Sequence, residues 1–306
     1  MHITIGERTI GPGQPCFVIA EAGINHNGDV RIASDLVHAA AEAGADAIKF
    51  QTHLPEHEML RGGATAAYVG ESLFDLLTRT ALSREAHVEL RDLAARKGLL
   101  FLSTPFSREA ADFLETLGVP AFKTGSGELT NVPLQRHIAR KGKPMIISTG
   151  MSTPEEIDRT VQAVREIGTP FALMHCTSTY PTPFEHVQLD CIPALQRKYA
   201  VPVGFSDHTL GTAMAFAAGA IERARGATKT IQPGEQDVRD MALHSVVSVR
   251  DIAAGATIAA ADVWAKRPGT GIPARRLDEV IGRVARRAIA SGRLVQWDDL
   301  DAGPAA

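Results

Sequence analysis

Cysteine is scarce, with only Cys16, Cys176 and Cys191 in 306 residues. An odd number without metal-ligand spacing leaves neither a disulfide framework nor a thiolate metal site, and predicts free thiols in a reducing cytoplasm. Charge of one sign is lacking too: the net charge is −3, which gives no footprint for nucleic acid. No apolar run reaches the roughly 18–20 residues that span a bilayer, so no membrane association is expected. The longest, Ala213 to Ile221, suits a buried helix. Met1-His2-Ile3-Thr4-Ile5-Gly6-Glu7 has no basic start followed by an apolar run, so no signal peptide is expected. No strand is followed by a Gly-rich dinucleotide loop.

What is present is alternation. The length suits one large domain plus a small one, and 44 % hydrophobic with 22 % charged residues is ordinary soluble composition. Short apolar runs predict strands at Cys16–Glu21, Ala47–Gln51, Leu99–Ser103, Ala121–Thr124, Pro144–Thr149, Phe171–Cys176 and Val201–Phe205. Helical patterns lie between and after them: Val30–Ala43, Ser83–Lys97, Arg108–Leu117, Val132–Arg140, Pro154–Ile167, Leu189–Lys198 and Gly211–Ile221. Repeated strand–helix units imply parallel strands, because each crossover returns the chain to the same end of the sheet. An open sheet fits the count as well. Polar residues after every strand favour an α/β fold of the closed TIM-type (β/α) barrel, with chemistry at the C-terminal strand ends. Seven units are visible where such a barrel has eight. The short, basic stretch Arg223–Gly234 cannot hold an eighth strand and an ordinary helix, so the barrel is expected to be truncated. From about Leu243 short strand-like pieces alternate with turns at Ala253-Ala254-Gly255 and Pro268-Gly269-Thr270-Gly271. The expected division is a barrel over 1–234, a linker over 235–243 and a compact domain over 244–306.

Glu21 precedes the amide- and imidazole-rich run Gly23-Ile24-Asn25-His26-Asn27-Gly28. Its carboxylate can orient water or a sugar hydroxyl, or the run can be a plain hydrogen-bonded turn. Lys49 and Gln51 share one strand face with Ala47. A lysine inside a barrel is costly unless it meets an anion. Lys123 ends the fourth strand, before Gly125-Ser126-Gly127-Glu128. Two such lysines, with Ser103-Thr104 and Ser148-Thr149 on intervening strands, suit a phosphate. His175 lies inside its strand and is expected to be a satisfied core histidine. Tyr180, in a loop stiffened by Pro181 and Pro183, can donate to a substrate. His208, in Ser206-Asp207-His208, suits a transition metal, but one histidine does not make a site. Arg283, Arg286, Arg287 and Arg293 read as a solvated face, with an anionic ligand or a partner subunit as the alternative.

These pieces resemble a family. E-A-G-I-N-H-N-G at 21–28, K-F-Q at 49–51, S-T-P-F at 103–106, K-T-G-S-G-E at 123–128 and S-T-G-M at 148–151 are similar to the sialic acid synthases. So are H-C-T-S-T-Y-P-T-P at 175–183 and G-F-S-D-H-T at 204–209, while K-R-P-G-T-G at 266–271 resembles their C-terminal antifreeze-like domain. The resemblance implies condensation of phosphoenolpyruvate with N-acetylmannosamine or a related amino sugar, the diacetylated precursor of legionaminic acid being the alternative, release of phosphate, dependence on a divalent metal such as Mn²⁺, and a domain-swapped homodimer. It implies that Lys49, Thr104, Lys123, Ser126, Ser148 and Ser206 contact phosphoenolpyruvate. Gln51, Glu128 and Tyr180 would contact the sugar, Glu21 would stand at the reacting centre, and His208 would be a metal ligand. Arg267 would reach the partner's site. Ser178 stands where the family often has asparagine. The departure is the family's eighth-strand Glu-Lys-His-Phe segment, whose histidine is the second metal ligand. Here Gly219-Ala220-Ile221-Glu222 runs on towards Gln232-Pro233-Gly234 without it. His26 is the conceivable substitute. The implications are weakened metal binding and little or no synthase activity, with a binding-only descendant as one alternative. A Schiff-base aldolase using Lys49 or Lys123 is another.

Overall fold

A computed structural model describes residues 1–62, 70–212, 230–232 and 234–301. An antiparallel hairpin, β1 (Ile3–Ile5) and β2 (Arg8–Ile10), comes first. Seven strands follow: β3 (Ile19–Gly23), β4 (Ala47–Thr52), β5 (Leu100–Pro105), β6 (Phe122–Thr124), β7 (Met145–Ser148), β8 (Phe171–Cys176) and β9 (Val203–Ser206). All their pairings are parallel, in ladders β3-β4-β5 and β6-β7-β8-β9, with β5 packed beside β6. Helices join them, including Val30–Glu42, Arg84–Arg96, Arg108–Leu117, Val132–Ala139, Pro154–Ile167 and Cys191–Tyr199. This is the expected α/β architecture. The residues expected to show the missing eighth unit, Arg223 to Lys229, and most of the Gly211–Ile221 pattern lie outside the described residues.

The two faces of each strand divide the core. Ile48, Phe50, Phe101, Phe122, Met145, Ile147, Phe171 and Leu173 point outwards and pack under the helices. Ala47, Leu102, Ala121, Ile146 and Ala172 form the second cluster, within the barrel, and Ile3 and Ile5 of the hairpin join it. The hairpin therefore fills the N-terminal end with apolar side chains. Two residues further along those strands, on the same face, stand Lys49, Thr104, Lys123, Ser148 and Met174. A period of two thus carries each strand from an apolar plug to a polar mouth. None of the described helices is long and apolar enough to cross a membrane.

The C-terminal part pairs β10 (Ser245–Ser248) with β11 (Val263–Lys266) and adds isolated bridges such as Ile252 to Ile289 and Thr257 to Val284. Val246, Ile258, Val263, Val280, Ala285 and Val295 make its own core. The connecting segment is not an extended polar tether: Gln236–Ala242 is a helix. Its Val238, Met241 and Ala242 bury against Met151 of the barrel. Arg239 pairs with Glu156 at 3.0 Å, and Glu156 also closes a capping box with Thr153 at the start of Pro154–Ile167. Gly127 permits close docking, since any Cβ there would lie 2.6 Å from the Ala242 carbonyl oxygen.

Candidate active site at the barrel mouth

The polar ends of β3 to β8 converge. Register places Glu21 beside Lys49 and Gln51 beside Thr104. The Lys49 ammonium pairs with the Glu21 carboxylate and lies 3.4 Å from Thr104 Oγ1. Lys123 Nζ donates to Ser148 Oγ at 2.6 Å and to the Thr124 carbonyl at 2.8 Å. Both lysines are buried. Burial first, then the neighbouring Lys49 charge, pull the Lys123 pKa down to about 8, against Cys176, Glu21 and Glu128. Two neighbouring buried ammonium groups are an unfavourable arrangement that an added anion relieves.

A second group surrounds Gly150. A Cβ at that position would fall 2.5–2.6 Å from Ser178 Oγ, Cys176 Sγ and Ser126 Oγ. Absence of a side chain lets these three groups close together. Ser126 Oγ accepts from the Gly150 N–H at 3.1 Å and lies 3.0 Å from Cys176 Sγ. Ser206, at the end of β9, is in register with Cys176.

Gln51, Glu128 and Arg267, which the resemblance assigns to the sugar, are joined by residues that the sequence did not single out. His53 continues the Lys49-Gln51 face. Its Nε2 lies 2.9 Å from Gln51 Oε1, and its Nδ1 lies 2.9 Å from Glu58 Oε1, with Glu58 fully buried. The His53 ring stacks on Phe106 at 4.1 Å, and the Arg267 guanidinium lies 4.8 Å from the centre of the same Phe106 ring. The period of two was the available signal for His53; Glu58 and Phe106 gave none. Arg267 donates from Nη2 to Glu128 Oε1 at 2.7 Å, from Nε to the Ala242 carbonyl at 3.1 Å, and from its backbone to the Glu58 carbonyl at 2.8 Å. Burial raises the Glu128 pKa, and Arg267 opposes the rise. Glu128 Oε2 is buried without a partner. The expectation sent Arg267 into a second subunit. In this chain it meets its own Glu128, because the docked helix Gln236–Ala242 turns the small domain back onto the same barrel.

His208 lies beside Tyr180, ring centres 4.4 Å apart, and Tyr180 is half exposed. His208 Nδ1 stands 2.7 Å from the Thr177 carbonyl, so Nδ1 carries the proton and Nε2 keeps its lone pair. A metal-binding histidine is fixed in this way. Burial holds the ring's pKa below the usual histidine value, which also favours the neutral form. Among the described residues no three His, Cys, Asp or Glu side chains come together to hold an ion, and residues 213–229 add only Glu222 of those types. The described residues do not fit a resident metal. His26 is not the substitute: it packs against Phe50 on the outer face of the strands, and its Nδ1 accepts the Gly28 N–H at 3.0 Å. The run after Glu21 is the hydrogen-bonded turn. His175 is a core histidine, with Nε2 2.7 Å from the Val187 carbonyl. Of the arginine cluster, Arg287 and Arg293 line a separate cleft of about 920 Å³ with Arg61 and Lys266, while Arg283 packs on Trp297.

The model of the NeuB family matches residues 36–228, and that of the SAF domain matches residues 244–301. The chain belongs to the NeuB family. It is 32 % identical to the N,N'-diacetyllegionaminic acid synthase of Legionella pneumophila over 348 aligned positions, covering 97 % of this chain and 98 % of that one. With 306 residues available here, at least 42 of those positions have no residue of this chain opposite them. Human N-acetylneuraminate-9-phosphate synthase is 34 % identical over 70 % of this chain and 61 % of its own length. The crystal structure of the spore coat polysaccharide biosynthesis protein SpsE from Bacillus subtilis superposes with a TM-score of 0.81 at 28 % identity, covering 98 % of this chain and 99 % of that chain. NeuB-family barrels with a C-terminal SAF domain are thus this chain's structural neighbours.

Proposed function

We propose that this NeuB-family chain binds phosphoenolpyruvate and an N-acetylated amino sugar at the barrel mouth, as a cytoplasmic nonulosonic acid synthase. In that reaction the enolpyruvate C3 attacks the sugar aldehyde, water adds at C2, and C–O cleavage releases phosphate. The observation that carries the reading is the convergence of Lys49 and Lys123 with Thr104 and Ser148 in one buried mouth. The ammonium groups neutralise phosphate and carboxylate, and the hydroxyls donate to their oxygens. Ser126, Ser178 and Ser206 extend that anion surface. Glu21, freed from Lys49 when the anion arrives, orients the water. Gln51, Glu128 and Tyr180 meet sugar hydroxyls, and Arg267 fixes Glu128. The full-length likeness to a legionaminic acid synthase favours a diacetylated sugar over N-acetylmannosamine. Exchange of SAF domains between two copies would preserve the Arg267–Glu128 contact and move it across a subunit boundary. A mass of twice 32.7 kDa in light scattering supports such a homodimer, and a monomer at micromolar concentration refutes it.

A second reading has its own observation. With one histidine and no further ligand set among the described residues, the chain binds its substrates but turns them over slowly or not at all. Calorimetric titration with phosphoenolpyruvate, followed by steady-state phosphate release with each sugar and Mn²⁺, separates the two. Binding with turnover supports the synthase, and binding alone supports the impaired descendant. No binding overturns both. Borohydride trapping of pyruvate on Lys49 or Lys123 would instead establish a Schiff-base aldolase.

A further inference from the structure

Glu235 belongs to no motif noted in the sequence, yet its carboxylate is almost completely buried. Three backbone N–H groups from separate segments donate to it. Oε1 accepts from Met151 at 3.1 Å and from Ser178 at 2.9 Å, and Oε2 accepts from Gln232 at 2.6 Å. Met151 lies in the loop after β7, and Ser178 lies in the loop after β8. Gln232 and Glu235 lie just before the helix that leads to the SAF domain. One oxygen therefore joins two mouth loops, and the other ties them to the segment bearing the small domain.

Both loops lead directly into the anion surface. Ser178 presents its hydroxyl beside Cys176. Met151 adopts φ 57°, a left-handed conformation that a residue with a side chain holds only when its surroundings impose it. Glu235 grips the Met151 N–H, and the Met151 side chain packs on Val238, Met241 and Ala242 of the docked helix. The preceding residue, Gly150, donates to Ser126 Oγ at 3.1 Å. The chain of contacts runs from Glu235 through Met151 and Gly150 to Ser126, and in parallel through the Ser178 backbone. Charge-assisted bonds to a buried carboxylate are the stronger kind, and removing the acceptor would leave two buried donors unpaired.

We propose that Glu235 is a positioning residue, which holds the Gly150-Met151 and Ser178 loops so that Ser126 and Ser178 form the anion site only while the segment leading to the SAF domain is docked. The proposal rests on the anion-binding reading above. Glu235 touches no substrate, and its effect is on the affinity for the enolpyruvate phosphate and carboxylate.

The test uses the full chain. Hydrogen–deuterium exchange should rise in Glu235→Ala at Met151, Ser178 and Gln232, and also at Gly150 and Ser126, which Glu235 does not touch. Phosphoenolpyruvate affinity should fall about tenfold to a hundredfold, the factor for lost hydrogen bonds to a charged group. Glu235→Gln keeps one acceptor oxygen for Met151 and Ser178, so it should recover most of that affinity while exchange at Gln232 stays high. It also serves if the alanine variant does not fold. Arg239→Gln breaks a different tie of the same helix, to Glu156, and should leave phosphoenolpyruvate affinity within about threefold, since that bond does not reach Ser126 or Ser178. A folded Glu235→Ala protein with wild-type affinity overturns the proposal. So does a Glu235→Gln protein as weak as the alanine variant, or an Arg239→Gln protein equally weak, which would make docking in general the cause. If the wild-type chain binds no phosphoenolpyruvate, the proposed function fails instead. Unchanged exchange at Gly150 and Ser126 in Glu235→Ala then overturns the positioning role independently.

Discussion

Lys123 offers a measurement of what burying an ammonium group in the barrel mouth costs. Its ammonium is buried, donates to Ser148 and Thr124, and titrates near 8 instead of 10.5. The folded pKa lies below the unfolded one, so the unfolded chain holds the proton more tightly. The cost to stability is fully present below pH 8 and fades as pH rises towards 10.5. Its size is about 3 kcal/mol, of which roughly 2 kcal/mol should disappear between pH 7.5 and pH 10. Lys123→Met removes the titration while keeping a chain of similar reach. It also removes two hydrogen bonds, but that loss changes little with pH. Urea unfolding at the two pH values gives the stability of each protein. Wild type minus variant should become more favourable to wild type by about 2 kcal/mol at the higher pH. Phosphoenolpyruvate should bind wild type less tightly as pH rises through 8 to 9, because the anion needs the charged lysine. A difference that does not move with pH would refute the burial argument.

Arg267→Ala should lower unfolding stability by roughly 3–5 kcal/mol, the usual cost of leaving one charge of a buried pair alone; urea unfolding giving less than about 1 kcal/mol would show that Glu128 finds other partners. Mn²⁺ titration should show binding at least roughly tenfold weaker than in a version extended by a further strand–helix unit carrying a second histidine ligand, since even residues behind the ligands typically change affinity by about that much. His208→Ala should abolish the residual binding, and equal affinity in the natural and extended proteins would mean that another residue completes the site.

Much of the fold was legible because its signals are local. Seven apolar runs became seven parallel strands within a residue or two for most ends, since each run is set by its own pattern of burial. The alternation of Ala47 with Lys49 and of Ala121 with Lys123 placed both lysines inwards without any knowledge of their neighbours. Capping at Ser83, Ser107 and Thr153 likewise lies within a few residues of each helix. Less was legible in the site. His53 and Glu58 are close in sequence, but their links to Arg267, through the Phe106 ring and through the Glu58 carbonyl, depend on how the small domain docks. The helical character of Gln236–Ala242 was hidden by its polarity, since only Val238, Met241 and Ala242 bury, and they do so against a distant Met151. Placement of Arg267 on its own barrel followed from that docking.

Strand order, inward lysines and the two-part organisation were thus written in the order of residues, because side-chain direction repeats every two positions and helix ends are capped by near neighbours. Folding alone joined Glu235 to Ser178 and Met151, 57 and 84 positions away along the chain, and Arg267 to Glu128, 139 positions away. Such pairs carry no periodic signal. They exist because a buried carboxylate must find donors wherever packing brings them, and packing is a property of the whole barrel and the domain set upon it.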